Sequence, residues 1–252
     1  MARYDFRSPR LYVVGPLDAG ATIPLDAAQA HYLTSVLRLE AGDPVLIFNG
    51  MDGEWKARLA TPGKRNAVLT VEARTRPQPL PGNLHYMFSP LKRARLDYLV
   101  QKAVEMGVSR LQPAMMRHTQ AERVNLDRIR ANAIEAAEQC GILGLPEIME
   151  PVDLRVALAA LSPLRLLVFC DEDAPCADPV AVLRSAFGEG RADVAGIALL
   201  IGPEGGFADE ERAILLRRPH VARISLGPRI LRADTAAVAA LAIVQAAVGD
   251  WR

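Results

Sequence analysis

The chain has 252 residues, half of them hydrophobic and 23% charged, with 30 basic and 29 acidic side chains for a net charge of +1. That is enough chain to bury a core without staples, and the composition excludes wholesale disorder, a collagen-like rod and a disulfide scaffold. The balance also argues against a dedicated DNA-binding domain, which is ordinarily basic.

Charge is spread almost evenly: residues 1–80 carry ten basic and eight acidic side chains, 81–150 nine and eight, and 151–252 eleven and thirteen. The gradient is too shallow to locate a polyanion. The three cysteines, Cys140, Cys170 and Cys176, cannot all pair within one chain and form no close CxxC pair, as expected of reduced thiols in a cytoplasmic protein. No apolar run approaches the ~18–20 residues of a bilayer span. The start of the chain has charges where a signal peptide needs an apolar centre. The expectation is a cytoplasmic protein with no membrane span and no metal site.

In chain order, β-rich runs occur at 10–14, 44–48, 54–59 and 67–71, and turn residues such as Gly15, Pro16, Asn49, Gly50, Pro62 and Gly63 separate them. Such spacing predicts a small barrel. One helix interrupts it, with Asp26 as N-cap, Gln29 as its capping-box partner and Leu33, Val36 and Leu37 on one face. Residues 75–83 hold three prolines and a glycine, which makes a stiff, extended connection. The expected division is a barrel over 1–75, a linker over 76–83 and a second domain over 84–252.

Strand–helix alternation follows. Residues 84–88 read as a strand. Residues 92–106 read as a helix with Leu96, Leu99, Val100, Ala103 and Val104 on one face, closed by Gly107. Residues 127–140 form another, closed by Gly141. The continuous apolar runs 164–169 and 196–201 suit a parallel sheet covered on both faces, so the fold class is α/β. A last helix over 235–248 is Ala-rich and apolar on nearly every face, which implies burial all round, with a partner subunit as one source of cover.

Three segments could carry chemistry. In the first, an apolar strand runs into Gly202, Pro203, Glu204, Gly205 and Gly206 and then a helix. Ligands sit beyond the carboxyl ends of such strands, although a tight turn needing glycines explains the loop as well. It matches neither phosphate-cradling glycine motif. In the second, Leu226, Gly227 and Pro228 precede Arg229, Ile230, Leu231 and Arg232, and Asp234 or Thr235 is the natural cap of the last helix. Arginines beside a helix N-terminus suit an anion. In the third, Gln101 and Glu105, and Glu135 and Gln139, share helix faces at i and i+4, which a solvated polar face explains equally.

Taken together, these segments resemble the 16S ribosomal RNA uridine N3-methyltransferases of the knotted SPOUT class, RsmE type. The likeness covers nearly the whole chain. His31 to Leu39, then Gly42, Asp43, Phe48, Asn49 and Gly50, look like the family's PUA-like module. Gln101 to Val108, Arg117, Glu135 to Gln139, Ile201 to Phe207 and Leu226 to Arg232 look like its catalytic module. The chain departs from the family pattern at Ile142, where an arginine is usual, at Asp234 in place of Glu, and at Ala208 in place of Ser, where Asp209 could cap the helix instead.

The resemblance implies a parallel-sheet SPOUT domain containing a deep trefoil knot, an S-adenosylmethionine pocket formed by that knot, and an active site at a homodimer interface. It implies cofactor contacts from Phe169, Gly202, Pro203, Gly205, Leu226, Gly227, Ile230, Leu231 and Thr235. It implies 16S ribosomal RNA in the 30S subunit as substrate. Arg232 is the candidate to stabilise developing charge and Asp234 the candidate base. Arg10, His31, Arg38, Lys92, Arg93, Lys102 and Arg117 are the candidates to meet RNA. The competing readings are a SPOUT enzyme acting on another RNA position, a non-catalytic RNA-binding protein, and an unrelated α/β nucleotide-binding enzyme.

Overall fold

Turn chemistry cuts the first part of the chain into short strands: β1 (Arg10–Tyr12), β2 (Thr22–Pro24), β3 (Pro44–Phe48), β4 (Glu54–Thr61) and β5 (Val68–Arg76). The computed structural model describes residues 5, 7–63, 66–175, 178–187 and 194–251, so Cys176 lies outside the described residues. The strands form one sheet in the order β1-β3-β4-β5-β2, parallel between β1 and β3 and antiparallel elsewhere. Three register shifts along β4 and β5 add twist and let the sheet curl. At Gly53 (φ +85°) an added Cβ would sit 2.3 Å from the Arg76 carbonyl oxygen, so only glycine lets β4 begin there. Leu11, Val13, Leu33, Ile47, Leu59 and Leu69 fill the core.

Helix α1 (Ala27–His31) has the expected capping box: the Asp26 carboxylate accepts from the Gln29 N–H at 2.8 Å, and the Gln29 side chain accepts from the Asp26 N–H at 3.3 Å. The shared apolar face does not form. A π-helical turn follows at Tyr32–Val36, closed by the Leu37 N–H on the Tyr32 carbonyl. The wider turn rotates later side chains off the buried stripe, so Leu33 is buried while Val36 and Leu37 are 59% and 37% exposed.

The chain divides into two compact units, residues 1–81 with 134–145, and residues 82–133 with 146–252. The first is thus discontinuous. Tyr12 N–H donates to the Glu138 carboxylate (2.8 Å), Arg10 to the Glu138 carbonyl (3.3 Å) and Arg76 to the Gly141 carbonyl (3.0 Å). Both arginines meet on Glu54, whose side chain is only 3% exposed.

The second unit contains β6 (Leu84–Phe88), α2 (Ala94–Glu105), β7 (Arg110–Met115), α3 (Leu126–Cys140), β8 (Glu147–Ile148), β9 (Val152–Asp153) and α4 (Leu154–Ala160). It continues through β10 (Leu166–Cys170), α5 (Pro179–Phe187), β11 (Ile197–Ile201), α6 (Asp209–Leu216), β12 (Val221–Ile224) and α7 (Ala233–Val248). The last residues of α3 belong to the first unit. The strands pair in parallel in the order β12-β10-β11-β6-β7-β8, with β9 also on β7. β10 and β11 are buried almost end to end, as their unbroken apolar runs require.

Two helix starts differ from expectation. Helix α7 begins at Ala233 with Arg232 in the cap position, so Asp234 and Thr235 lie in its first turn and neither caps it. Helix α6 begins at Asp209 after Ala208; Glu211 reaches back, accepting from the N–H groups of Ala208 (2.9 Å) and Arg117 (2.8 Å). Nor is α7 buried all round. It packs on α2 and α5 of its own chain, with Ala237, Ala240, Leu241, Val244 and Val248 inward and Thr235 and Ala246 exposed.

Candidate functional site

Three parallel strands end side by side, and the loops that leave β10, β11 and β12 close over a cavity of about 140 Å³ that continues into an open cleft. Cys170, Asp171 and Glu172 line it after β10; Ile201, Gly202, Pro203, Glu204, Gly206 and Phe207 after β11; Ser225, Leu226, Gly227, Arg229, Ile230 and Leu231 after β12; and Ala233 and Ala236 from the start of α7. This is the end of an α/β sheet where ligands bind.

Of the residues that the family resemblance implies for the cofactor, Gly202, Pro203, Leu226, Gly227, Ile230 and Leu231 line this cleft. Three others are absent from it. Phe169 is fully buried and meets Phe207 edge to face at 5.8 Å, so it supports the wall from behind. Gly205 packs under His118, where an added Cβ would come within 3.1 Å of that side chain. Thr235 is exposed in the first turn of α7, between the wall residues Ala233 and Ala236. Gly202 is needed because the Phe207 ring lies where its Cβ would be, 2.9 Å away.

The acidic wall was not foreseen. Asp171, Glu172, Glu204 and Arg229 are the charged residues of a lining otherwise made of apolar side chains, glycines, Cys170 and Ser225. Such a site favours a cation with apolar parts. Asp171 is built in: its side chain is 1% exposed and accepts from Arg212 Nε (2.8 Å) and Arg223 Nε (2.9 Å). Burial would raise its carboxyl, but hydrogen bonds from Arg212 and the Asp173 N–H and the charges of both arginines hold it below the ordinary range. Burial pushes the neighbouring Cys170 thiol far up, with Asp171 adding to the effect, which favours the neutral thiol. Asp171→Ala is expected to lower stability by about 1.5–3 kcal/mol, the worth of hydrogen bonds between charged groups. Chemical denaturation reads this directly, and a change under half of that would show that the pair does not brace the wall.

Of the two candidate catalytic residues, Arg232 is exposed at the cap of α7 and Asp234 is half-exposed in its first turn. The arginine on the cleft itself is Arg229. Asp234 accepts from the Thr235 N–H at 2.9 Å.

The proposed RNA residues fall in both units. In the first, His31 and Arg38 are exposed, and Arg38 takes a left-handed backbone (φ +56°). Arg10 is not available to a phosphate: its side chain is 4% exposed and its Nε donates to Glu54 at 2.8 Å. A cation already neutralised in a dry pocket has little left for a ligand, and Arg10 leaves the set. In the second unit, Lys92 and Arg93 are exposed and line a cleft of about 620 Å³ with Arg123 and Arg128. Arg128 is bound to Asp97 at 2.6 Å. Lys102 is ion-paired to Glu105 at 2.7 Å, and Arg117 is exposed.

Comparison with known proteins bears on the whole of this arrangement. Residues 78–245 match an RNA methyltransferase domain and residues 25–72 an RNA methyltransferase PUA domain. The chain is 30% identical over 237 residues to ribosomal RNA small subunit methyltransferase E of Rickettsia conorii, covering 94% of each chain. It is also 30% identical to the Synechocystis enzyme of the same name, over 94% of this chain and 77% of that one. Among solved structures it resembles ribosomal RNA small subunit methyltransferase E of Neisseria gonorrhoeae bound to S-adenosyl methionine. The TM-score is 0.84 at 27% identity, over 98% of this chain and all of the other.

Proposed function

The chain belongs to the RNA methyltransferase family that includes ribosomal RNA small subunit methyltransferase E, and from this we propose that it methylates N3 of one uridine in 16S ribosomal RNA, using S-adenosylmethionine. The single observation that carries the reading is the acidic, apolar cleft at the ends of β10, β11 and β12, which lies inside the matched methyltransferase region. Its chemistry fits the cofactor. Leu226, Ile230, Leu231 and Phe207 offer apolar surface. Gly202 and Gly227 bring bare backbone to the wall. Glu172, and Glu204 beside its long contact with Arg95 (3.7 Å), answer positive charge, while Asp171 is already held by Arg212 and Arg223.

When bound, S-adenosylmethionine supplies a methyl group activated by its sulfonium. The residues of the chain do the rest. The uracil N3–H is a weak acid, so its proton must leave before or as N3 attacks. Asp234, in the first turn of α7, is the proposed acceptor of that proton. Arg229 on the cleft and Arg232 beside it are the proposed partners of the negative charge that builds on uracil. Lys92, Arg93, Arg117, His31 and Arg38 are exposed and available to hold the RNA backbone. With little net field, the protein would rely on local clusters and on the shape of a 30S particle. The proposal includes a homodimer, supported by Ile230, which is 95% exposed at the mouth of the cleft. It also includes a trefoil knot in the strand-end loops. A ribosomal RNA substrate implies work in the cytoplasm, and among the described residues no helix is long and apolar enough to cross a membrane.

The test is methyl transfer from labelled S-adenosylmethionine to 30S particles and to naked ribosomal RNA, with mapping of the modified base. One methyl group on N3 of one uridine, with particles the better substrate, is the expected result. No incorporation, or a methyl group on another atom, overturns the reading.

A further inference from the structure

A second cavity lies entirely within the first unit. It encloses about 320 Å³ and is lined by Arg7, Ser8, Pro9, Arg10, Tyr32, Leu37, Leu39, Glu138 and Gln139. Three stretches remote in sequence build it: the segment before β1, the π-helical turn with its exit, and the end of α3. The volume is at the lower end of small-ligand sites, ~300–1,000 Å³. We propose that this cavity takes a single unpaired nucleobase of the RNA, one bearing an exocyclic amine, stacked on Tyr32 and hydrogen-bonded to Glu138 and Gln139.

The chemistry of the wall selects a base over a phosphate. Arg10 is the buried cation of this lining, and Glu54 already holds it. The acidic Glu138 side chain would repel a phosphate. One oxygen of Glu138 accepts from the Tyr12 N–H at 2.8 Å; the other has no partner among the described residues. Burial, with Glu135 nearby, holds this carboxyl above the ordinary range against the pull of the Tyr12 N–H, as befits a carboxylate short of donors. An amino group on a base edge supplies the missing donor, as cytosine N4 does for carboxylates elsewhere. Gln139 is exposed and its amide, an acceptor and donor together, makes no bond among the described residues. Tyr32 is half-buried beside Leu37 and Leu39, so the site offers a ring with apolar edges, the usual platform for an unstacked base. Arg7, exposed at the rim, is placed for the phosphate that follows. Tyr32 opens the π-helical turn, packs partly on the core and lines the cavity, while Leu33 beside it is fully buried.

The inference rests on the RNA reading above, and its test separates the two. Fluorescence anisotropy of the full chain with labelled octamers of A, C and U is measured at low salt, beside methyl incorporation into 30S particles. The A and C octamers are expected to bind at least fivefold tighter than U. Glu138→Gln should remove that preference, and Tyr32→Ala should weaken A and C about tenfold, in the range found for base-aromatic stacking. Gln139→Ala, an exposed change that leaves the fold alone, should weaken A and C severalfold and U little. Equal affinity for the three octamers, no binding by protein that methylates particles, or folded Glu138→Gln and Gln139→Ala proteins that keep the wild-type preference each overturn the site and leave the methyltransferase reading standing. Absence of methylation by the wild-type protein strikes the underlying reading instead.

Discussion

Glu54→Ala costs the protein about 3–5 kcal/mol of stability, the usual effect of removing one partner from a buried ion pair. Glu54 is the hub of the first unit. Arg76 grips it with two bonds (2.9 and 2.6 Å), Arg10 adds one at 2.8 Å and the Thr75 hydroxyl another at 2.8 Å. Without the carboxylate, Arg10 is left as an unpaired charge with a 4% exposed side chain. The two arginines also donate to the carbonyls of Glu138 and Gly141, so the attachment of residues 134–145 loosens as well. Burial would raise the Glu54 carboxyl, but the bonds from Arg76, Arg10 and Thr75 outweigh it and hold it below the ordinary 4.5. The folded state therefore binds a proton less readily than the unfolded chain. The stabilisation is complete above the unfolded value and is lost as pH falls through the folded one. Urea melts at pH 7 and in increasingly acidic buffer check this: the gap between wild type and variant should be widest at pH 7 and narrow below pH 4.5. A loss under 1 kcal/mol at pH 7 would show that the cluster is dispensable.

The second large effect is on rate. Asp234→Asn should slow methyl transfer about 10²–10⁴-fold, the usual contribution of a positioned base. Asparagine keeps the size of the side chain and its bond to the Thr235 N–H, now 2.9 Å from Asp234, but it cannot take the N3 proton. Stability should hardly change, because the residue is half-exposed and no cap bond is lost. Cofactor affinity should also hold, since Asp234 is outside the cleft wall. Raising the pH should partly rescue the variant as uracil ionises unaided. Near wild-type turnover, or a loss confined to cofactor binding, would remove Asp234 from the base role.

Elements with strong periodicity or clear turn boundaries were legible in the sequence, and most of the shortest were not. The apolar runs behind β10 and β11 and the stripe of Leu99, Val100, Ala103 and Val104 on α2 stand where the pattern put them. β2, β8 and β9, of two or three residues, carry no period to detect. β7 was hidden by Pro113, a residue that normally argues against a central strand. The structure shows why it is tolerated: on one side β7 pairs with β8 through Arg110 and Leu111 and with β9 through Ala114 and Met115, and Pro113 falls in the gap between them. At the site, the glycine and Leu-Gly-Pro loops could be read from residue types. Asp171, Glu172 and Glu204 could not, because an acidic residue beyond a strand looks like any surface charge until the strand ends are known to converge. Arg10 failed for the same reason in reverse: its partner Glu54 is 44 residues away.

The first unit draws residues 134–145 from well beyond the point where its sheet is complete. During synthesis, at ~5–20 residues per second, its strands leave the ribosome seconds before the segment that accepts from Arg10 and Arg76. Until that segment emerges, Arg10 and Arg76 can close on Glu54 but lack the Glu138 and Gly141 carbonyls. The barrel is therefore not a cassette that evolution or an engineer can lift out at residue 81 and graft elsewhere. Its inheritance is tied to the helix that completes it, and so to the domain in which that helix begins.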